Sequence, residues 1–225
     1  MFWGIDLSTQ GLLSVSVLWL LLLASGAPSA TEATASSLQA AQTLAAQVGT
    51  TCGNPYAVAE IAFTFEVWVD GERVIQRSHQ WFPRESRAIV SWEGQQVELT
   101  QLYPYIASTA PQELAIAAYQ HWINDSYWLL AACKVQDAGV ESSLDETGRL
   151  SLRFDQGVGL SSGDQYWMSV DRRGRVQDWE FELEGGRHDR FSWVGYKRFG
   201  PLLLSTRRIS ADGHTLVRFE DVRVR

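Results

Sequence analysis

Ile61-Ala62-Phe63-Thr64-Phe65-Glu66-Val67-Trp68-Val69 runs directly into Asp70-Gly71. Ile61, Phe63, Phe65, Val67 and Val69 share one face at a period of two, which belongs to a β-strand with one strongly apolar side. Asp-Gly is a favoured two-residue hairpin turn, so residues 73–82 are expected to return antiparallel beside 59–69. A sheet with so aromatic an inner face has to cover either a helix or an apolar ligand.

The same pattern recurs outward. Residues 87–92 and 95–100 make a second hairpin across Glu93-Gly94. Beyond the middle of the chain, strands are expected at 148–154, 165–170, 175–184, 187–196, 201–210 and 215–224. The turns between them include Asp171 to Gly174, Gly185-Gly186, Phe199-Gly200-Pro201 and Asp212-Gly213. Short strands with turn signals and no intervening helices describe an antiparallel meander rather than a parallel βαβ sheet.

Two segments break the pattern. Residues 37–48 place Leu38, Ala41, Ala45 and Val48 on one helical face, with Gly49 and Cys52-Gly53-Asn54-Pro55 to end the helix. Residues 111–123 place Leu114, Ala115, Ala118, Tyr119, Trp122 and Ile123 on a broad apolar face behind Pro111. Residues 126–133 are apolar all round and read equally as helix or buried strand. The fold class is therefore mainly β (α+β). It is a large curved antiparallel sheet forming an unclosed half-barrel, with helices covering the concave face.

The 225 residues carry a formal charge of −7, with basic residues scattered. That excludes a nucleic-acid footprint and a polybasic patch for anionic membranes, leaving transient membrane contact at most. Residues 11–24 are an apolar run followed by small residues, Ser25 to Ala30. The run is short for a spanning helix and suits a signal peptide over 1–30. An uncleaved N-terminal anchor is the alternative, because the first residues lack Lys and Arg. Residues 31–36 read as a loose linker, and 37–225 as one domain, expected to be a monomer. Cys52 and Cys133 are the only cysteines. They read either as a disulfide in an oxidising compartment or as two separately buried thiols.

Eight of the ten tryptophans lie beyond the leader. Phe63, Phe65, Trp81, Trp92, Trp122, Trp128, Trp179, Phe181 and Trp193 are the candidate ligand-binding residues. Rigid apolar rings under a helical lid make a cavity for acyl chains, where burial is worth about 25 cal/mol per Å². The same rings equally suit a filled β core.

Four stretches carry a family resemblance: 121–130 (His-Trp-Ile-Asn-Asp-Ser-Tyr-Trp-Leu-Leu), 152–166 (Leu-Arg-Phe-Asp-Gln-Gly-Val-Gly-Leu-Ser-Ser-Gly-Asp-Gln-Tyr), 176–181 (Val-Gln-Asp-Trp-Glu-Phe) and 199–207 (Phe-Gly-Pro-Leu-Leu-Leu-Ser-Thr-Arg). With them, residues 58–224 resemble exported bacterial proteins grouped with the LolA/LolB-like lipoprotein-localisation-factor fold. The resemblance implies an unclosed antiparallel barrel with a helical lid over an apolar cavity, used to carry lipoproteins or lipids across the periplasm. The chain lacks a lipid-anchoring cysteine after its apolar leader, which fits a soluble periplasmic carrier better than an anchored acceptor. No arginine here is matched to the family's lid-closing position.

Catalysis is not expected. Gly159-Leu-Ser161-Ser-Gly163 fits G-x-S-x-G, but a strand follows it where a nucleophile elbow needs a helix. His79, His121, His188 and His214 are widely spread, without metal-ligand spacing, and read as surface or strand-edge residues. Glu180, Glu182 and Glu184 read as a solvated strand face. The expected function is an exported soluble binding protein, with a lipid or acylated protein as partner and no cofactor. A non-catalytic envelope interaction module with a filled core is the alternative.

Overall fold

The computed structural model describes residues 30–103, 106–154, 164–183 and 186–225. The elements follow as α1 (Ala30–Cys52), β1 (Ile61–Val69), β2 (Glu72–Phe82), β3 (Arg87–Trp92), β4 (Gln95–Gln101), β5 (Ala107–Ser108), α2 (Gln112–Leu130), β6 (Val140–Leu144), β7 (Leu150–Phe154), β8 (Gln165–Val170), β9 (Val176–Glu182), β10 (His188–Phe199), β11 (Leu202–Ser210) and β12 (Thr215–Val224). The described strands form one sheet of order β5-β4-β3-β2-β1-β12-β11-β10-β9-β8-β7-β6. Each neighbouring pair is antiparallel. β5 and β6 stand at opposite edges, so the sheet is an unclosed half-barrel, as expected, and its antiparallel order follows the turn spacing.

The path explains where α2 lies. The chain enters at the centre of the sheet in β1 and steps outward through hairpins to the β5 edge. α2 then carries it to the opposite edge, and the remaining strands step back to β12, which pairs with β1 from Ile61↔Val224 to Val69↔Thr215. The helix thus makes the one long crossover and lies inside the curve. Asp70 (φ 51°) and Gly71 (φ 86°) both adopt the left-handed region, the turn whose twist matches its flanking strands.

Several boundaries differ from expectation. α1 begins at Ala30, through the stretch read as loose, because no Pro or Gly interrupts an alanine-rich run up to Gly49. It also passes Gly49 and stops at Cys52. Gly53 (φ +100°) takes the C-terminal position, its amide bonding the Gly49 carbonyl at 2.9 Å. A side chain there would strike the Pro201 carbonyl of the β10–β11 turn. The ambiguous 126–133 segment resolves as the last turn of α2 followed by a 3-10 turn, Ala131–Cys133. β6 was not expected, since Val140-Glu-Ser-Ser-Leu144 carries only two apolar residues. Pairing with β7 on one side and packing of α1 supply what its composition lacks.

Both helices bury small residues against the sheet: Ala41, Ala45 and Val48 from α1, Ala115 and Ala118 from α2. The apolar face of β1 is buried through Phe65, while Val69, near the hairpin tip, is 37 % exposed. A disulfide joins Cys52 at the end of α1 to Cys133 just beyond α2, Cα atoms 5.0 Å apart. Thr51 Oγ1 also donates to the Arg173 carbonyl at 3.0 Å in the β8–β9 turn. The C-terminal end of α1 is therefore fastened both to the turn after α2 and to the sheet.

Candidate functional site

All nine aromatic candidates fall on the core side of the sheet or on α2 facing it. Phe63, Phe65, Trp81, Trp179, Phe181 and Trp193 are buried, and Trp92, Trp122 and Trp128 are part-buried against them. By ring contact eight of them fall into three groups, and Trp92 stands apart against His121. In one, Trp128 of α2 stands edge-on to Trp179 (4.9 Å between centroids), Phe181 (5.9 Å) and Phe191 (5.0 Å), and Trp179 meets Trp193 at 5.4 Å. Tyr127 and Tyr166 extend this group. In a second, Trp81 meets Trp122 at 5.8 Å, and in a third Phe63 and Phe65 both meet Phe219. Burying a ring of tryptophan size removes about 200 Å² from water, on the order of 5 kcal/mol each.

Between helix and sheet lies a charged cluster that the sequence reading missed. Asp125, in α2, is fully buried. Arg77 of β2 donates to it twice, Nε to Oδ2 and Nη2 to Oδ1, each at 2.7 Å. His79 Nε2 meets Oδ2 at 2.8 Å, and Asn124 Nδ2 donates to Oδ1 at 2.8 Å. Arg77 Nη1 also reaches His121 Nδ1 at 3.0 Å, and Trp92 stands edge-on to the His121 ring at 5.1 Å. Arginine cannot accept, so His121 Nδ1 is the acceptor and its proton sits on Nε2. Burial, and next the adjacent Arg77 guanidinium, hold the His121 pKa below the usual histidine value. His79 is therefore a core residue stacked on Phe63 at 4.8 Å, not the surface or edge residue expected, and His121 belongs to the same interior network. His188 and His214 are exposed and pair with Glu180 and Asp70. Glu180 also takes Arg149, so this part of the acidic run is ion-paired.

Arg208 is the second omission. Its side chain is fully buried, with the guanidinium 3.5 Å from the Trp193 ring centroid and 5.5 Å from that of Phe219. It thereby bridges the Trp179–Trp193 group and the Phe63–Phe65–Phe219 group. Nη1 donates to the Ser205 and Arg207 carbonyls and to Ser205 Oγ, and Nη2 to the Trp128 carbonyl at 2.9 Å. The last contact satisfies a carbonyl near the C-terminal end of α2. Burial without a carboxylate beside it lowers the arginine pKa to about 9.

These residues had a signal. Arg77 and His79 share strand parity with inward Trp81. His121 and Asp125 interleave with Trp122 and Trp128 on α2. Arg208 shares parity with Leu202, Leu204 and Ser210. Each is a polar residue in an apolar register, which marks either an error of register or a paired interior group. The Gly159–Gly163 string lies outside the described residues.

No family model matches the sequence, and no curated protein matches it. Among solved structures the chain is similar to a LolA superfamily protein from Nitrosomonas europaea, with 12 % identity, a TM-score of 0.49, and 82 % of this chain and 93 % of that one covered. It is also similar to a DUF1329 family protein from Desulfovibrio piger, with 8 % identity, a TM-score of 0.44, and 84 % and 93 % covered.

Proposed function

We propose that this chain is an exported, soluble carrier that holds an apolar ligand, a lipid or the acyl chains of a lipoprotein, between α2 and the aromatic concave face. The observation that carries the reading is the fastening of α2. A helix meant only to seal a core would meet the sheet through apolar contacts, and replacing buried ion pairs by well-packed apolar groups is often neutral or stabilising. Here Asp125 meets Arg77 and His79 in the C-terminal half of the helix, and Arg208 holds the Trp128 carbonyl about one turn further on. Such contacts are directional and can be exchanged for water, so the helix has a defined closed position and a route to an open one. The Cys52–Cys133 disulfide supports export, since such bonds persist in oxidising compartments. Among the described residues no helix is long and apolar enough to cross a membrane. Export predicts a mature N-terminus near residues 27–31, checked by peptide mapping of the periplasmic protein.

The test is lipid extraction and native mass spectrometry of the protein from its own periplasm, with titration of a fluorescent fatty-acyl probe in vitro. Co-purified lipid and saturable probe uptake support the carrier. One observation favours the filled-core interaction module instead: Trp128 already occupies the space against Trp179, Phe181 and Phe191. Absence of both lipid and uptake favours that module.

A further inference from the structure

We propose that Arg208, with the indole N–H groups of Trp179 and Trp193, forms a buried acceptor site for the carboxylate of a single-chain fatty acid. This rests on the carrier reading and names the ligand group that the site would take.

Three buried donors near Arg208 have nothing to donate to. Arg208 Nε, Trp179 Nε1 and Trp193 Nε1 are all buried and none has a hydrogen-bond partner. Buried donors are nearly always paired, so three in one neighbourhood call for an explanation. They belong to side chains in direct succession: the Arg208 guanidinium lies 3.5 Å from the Trp193 ring centroid, and Trp193 meets Trp179 at 5.4 Å.

Charge points the same way. A guanidinium has five N–H groups; the bonds from Nη1 occupy two and the Trp128 carbonyl one, leaving Nε–H and one Nη2–H. Its present partners are carbonyls and a hydroxyl, all uncharged, so the positive charge enters the core without a carboxylate. The depressed pKa of Arg208 has this same cause. A carboxylate brings two oxygens with about four acceptor directions and one negative charge, which match the free guanidinium N–H groups and the indoles. Its alkyl chain would lie along the rings of Trp179, Phe181 and Phe191, where Trp128 now sits. An ester offers one good acceptor and no charge, and an amine offers repulsion.

The mature disulfide-bonded chain is loaded with cis-parinaric acid, and the probe is displaced by palmitate, methyl palmitate or hexadecylamine. Palmitate is expected to displace it at a concentration at least tenfold below either of the others. Trp193→Phe keeps the ring and deletes one orphaned donor. It should cut the preference for acid over ester about threefold or more, over and above any common loss of affinity for both ligands. Arg208→Met should abolish the preference, and Arg208→Lys, which keeps the charge without the fork, should retain part of it. Equal displacement by acid and ester, or parallel loss of both in Trp193→Phe, overturns the acceptor site while the carrier reading stands. Absence of any parinaric acid binding to the wild-type chain overturns both.

Discussion

Arg77 grips Asp125 through both carboxylate oxygens, at 2.7 Å each, and so fixes the C-terminal half of α2 to β2. The pair is buried, with Arg77 14 % exposed and Asp125 not at all. Removing one member leaves the other charged and unpaired. Asp125→Asn is therefore expected to cost about 3 kcal/mol or more. The double replacement Arg77→Met with Asp125→Leu should cost less than the single change, since it leaves no orphaned charge. Urea unfolding of the two variants measures this, and a double variant that costs as much as Asp125→Asn or more would place the pair among simple stabilising contacts.

The same network gives a pH dependence. His121 accepts from Arg77, and its pKa is held down by burial and by that guanidinium; Asp125 and Glu93 act in the opposite sense. Protonation forces a second positive charge against Arg77. A base with a lowered folded pKa contributes stability that is fully present above its unfolded value of about 6.5. That stability is lost as pH falls through the lower folded value. The unfolding midpoint should fall on going from pH 7 to pH 5, and the slope should flatten in His121→Gln. An NMR titration placing the His121 midpoint above 6.5 would reverse the sign.

Cys52 and Cys133 close a loop of sequence separation 81 between the end of α1 and the turn after α2. In the chain-entropy account a loop of that length is worth about 4 kcal/mol. Cys52→Ser should lower stability by roughly that amount and leave the midpoint insensitive to reducing agent. Wild-type protein should lose the same increment on reduction.

Much of this architecture could be read from alternation and turn residues. Asp70-Gly71 and Glu93-Gly94 announce their hairpins because both positions adopt the left-handed backbone of that turn. The inward rings of β1, β9 and β10 follow strand parity. What could not be read depends on partners distant in sequence. β6 is a strand only because β7 and α1 meet it, and the stretch of α2 up to Leu130 packs on the sheet with Asp125 paired to β2. Asp125 and Arg77 lie 48 residues apart, so neither suggests the other. Arg208 is legible only as a charge on an apolar parity, a pattern usually discarded as a register error.

The aromatic face yields the prediction that separates carrier from filled core. Trp179 and Phe181 are buried beneath the helix, so truncating either should carry the full cost of a core aromatic, about 3–5 kcal/mol. Trp128 differs, being part-buried and carried by α2, above the rings of Trp179, Phe181 and Phe191. Trp128→Ala should therefore cost clearly less than Trp179→Ala. In a carrier it also vacates the place an acyl chain would take, so uptake of a fluorescent fatty-acyl probe should rise by several-fold. Phe65→Glu should abolish uptake more completely than Phe65→Ala, because a carboxylate there brings a second negative charge into the core and competes with Asp125 for the Arg77 guanidinium, which lies 5.2 Å from the Phe65 ring centroid. A filled core gives the opposite pattern. Trp128→Ala then loses as much stability as Trp179→Ala, and neither variant nor wild type takes up the probe. Measuring melting temperature and probe affinity on the same preparations decides between the two, since each reading fixes the direction of both.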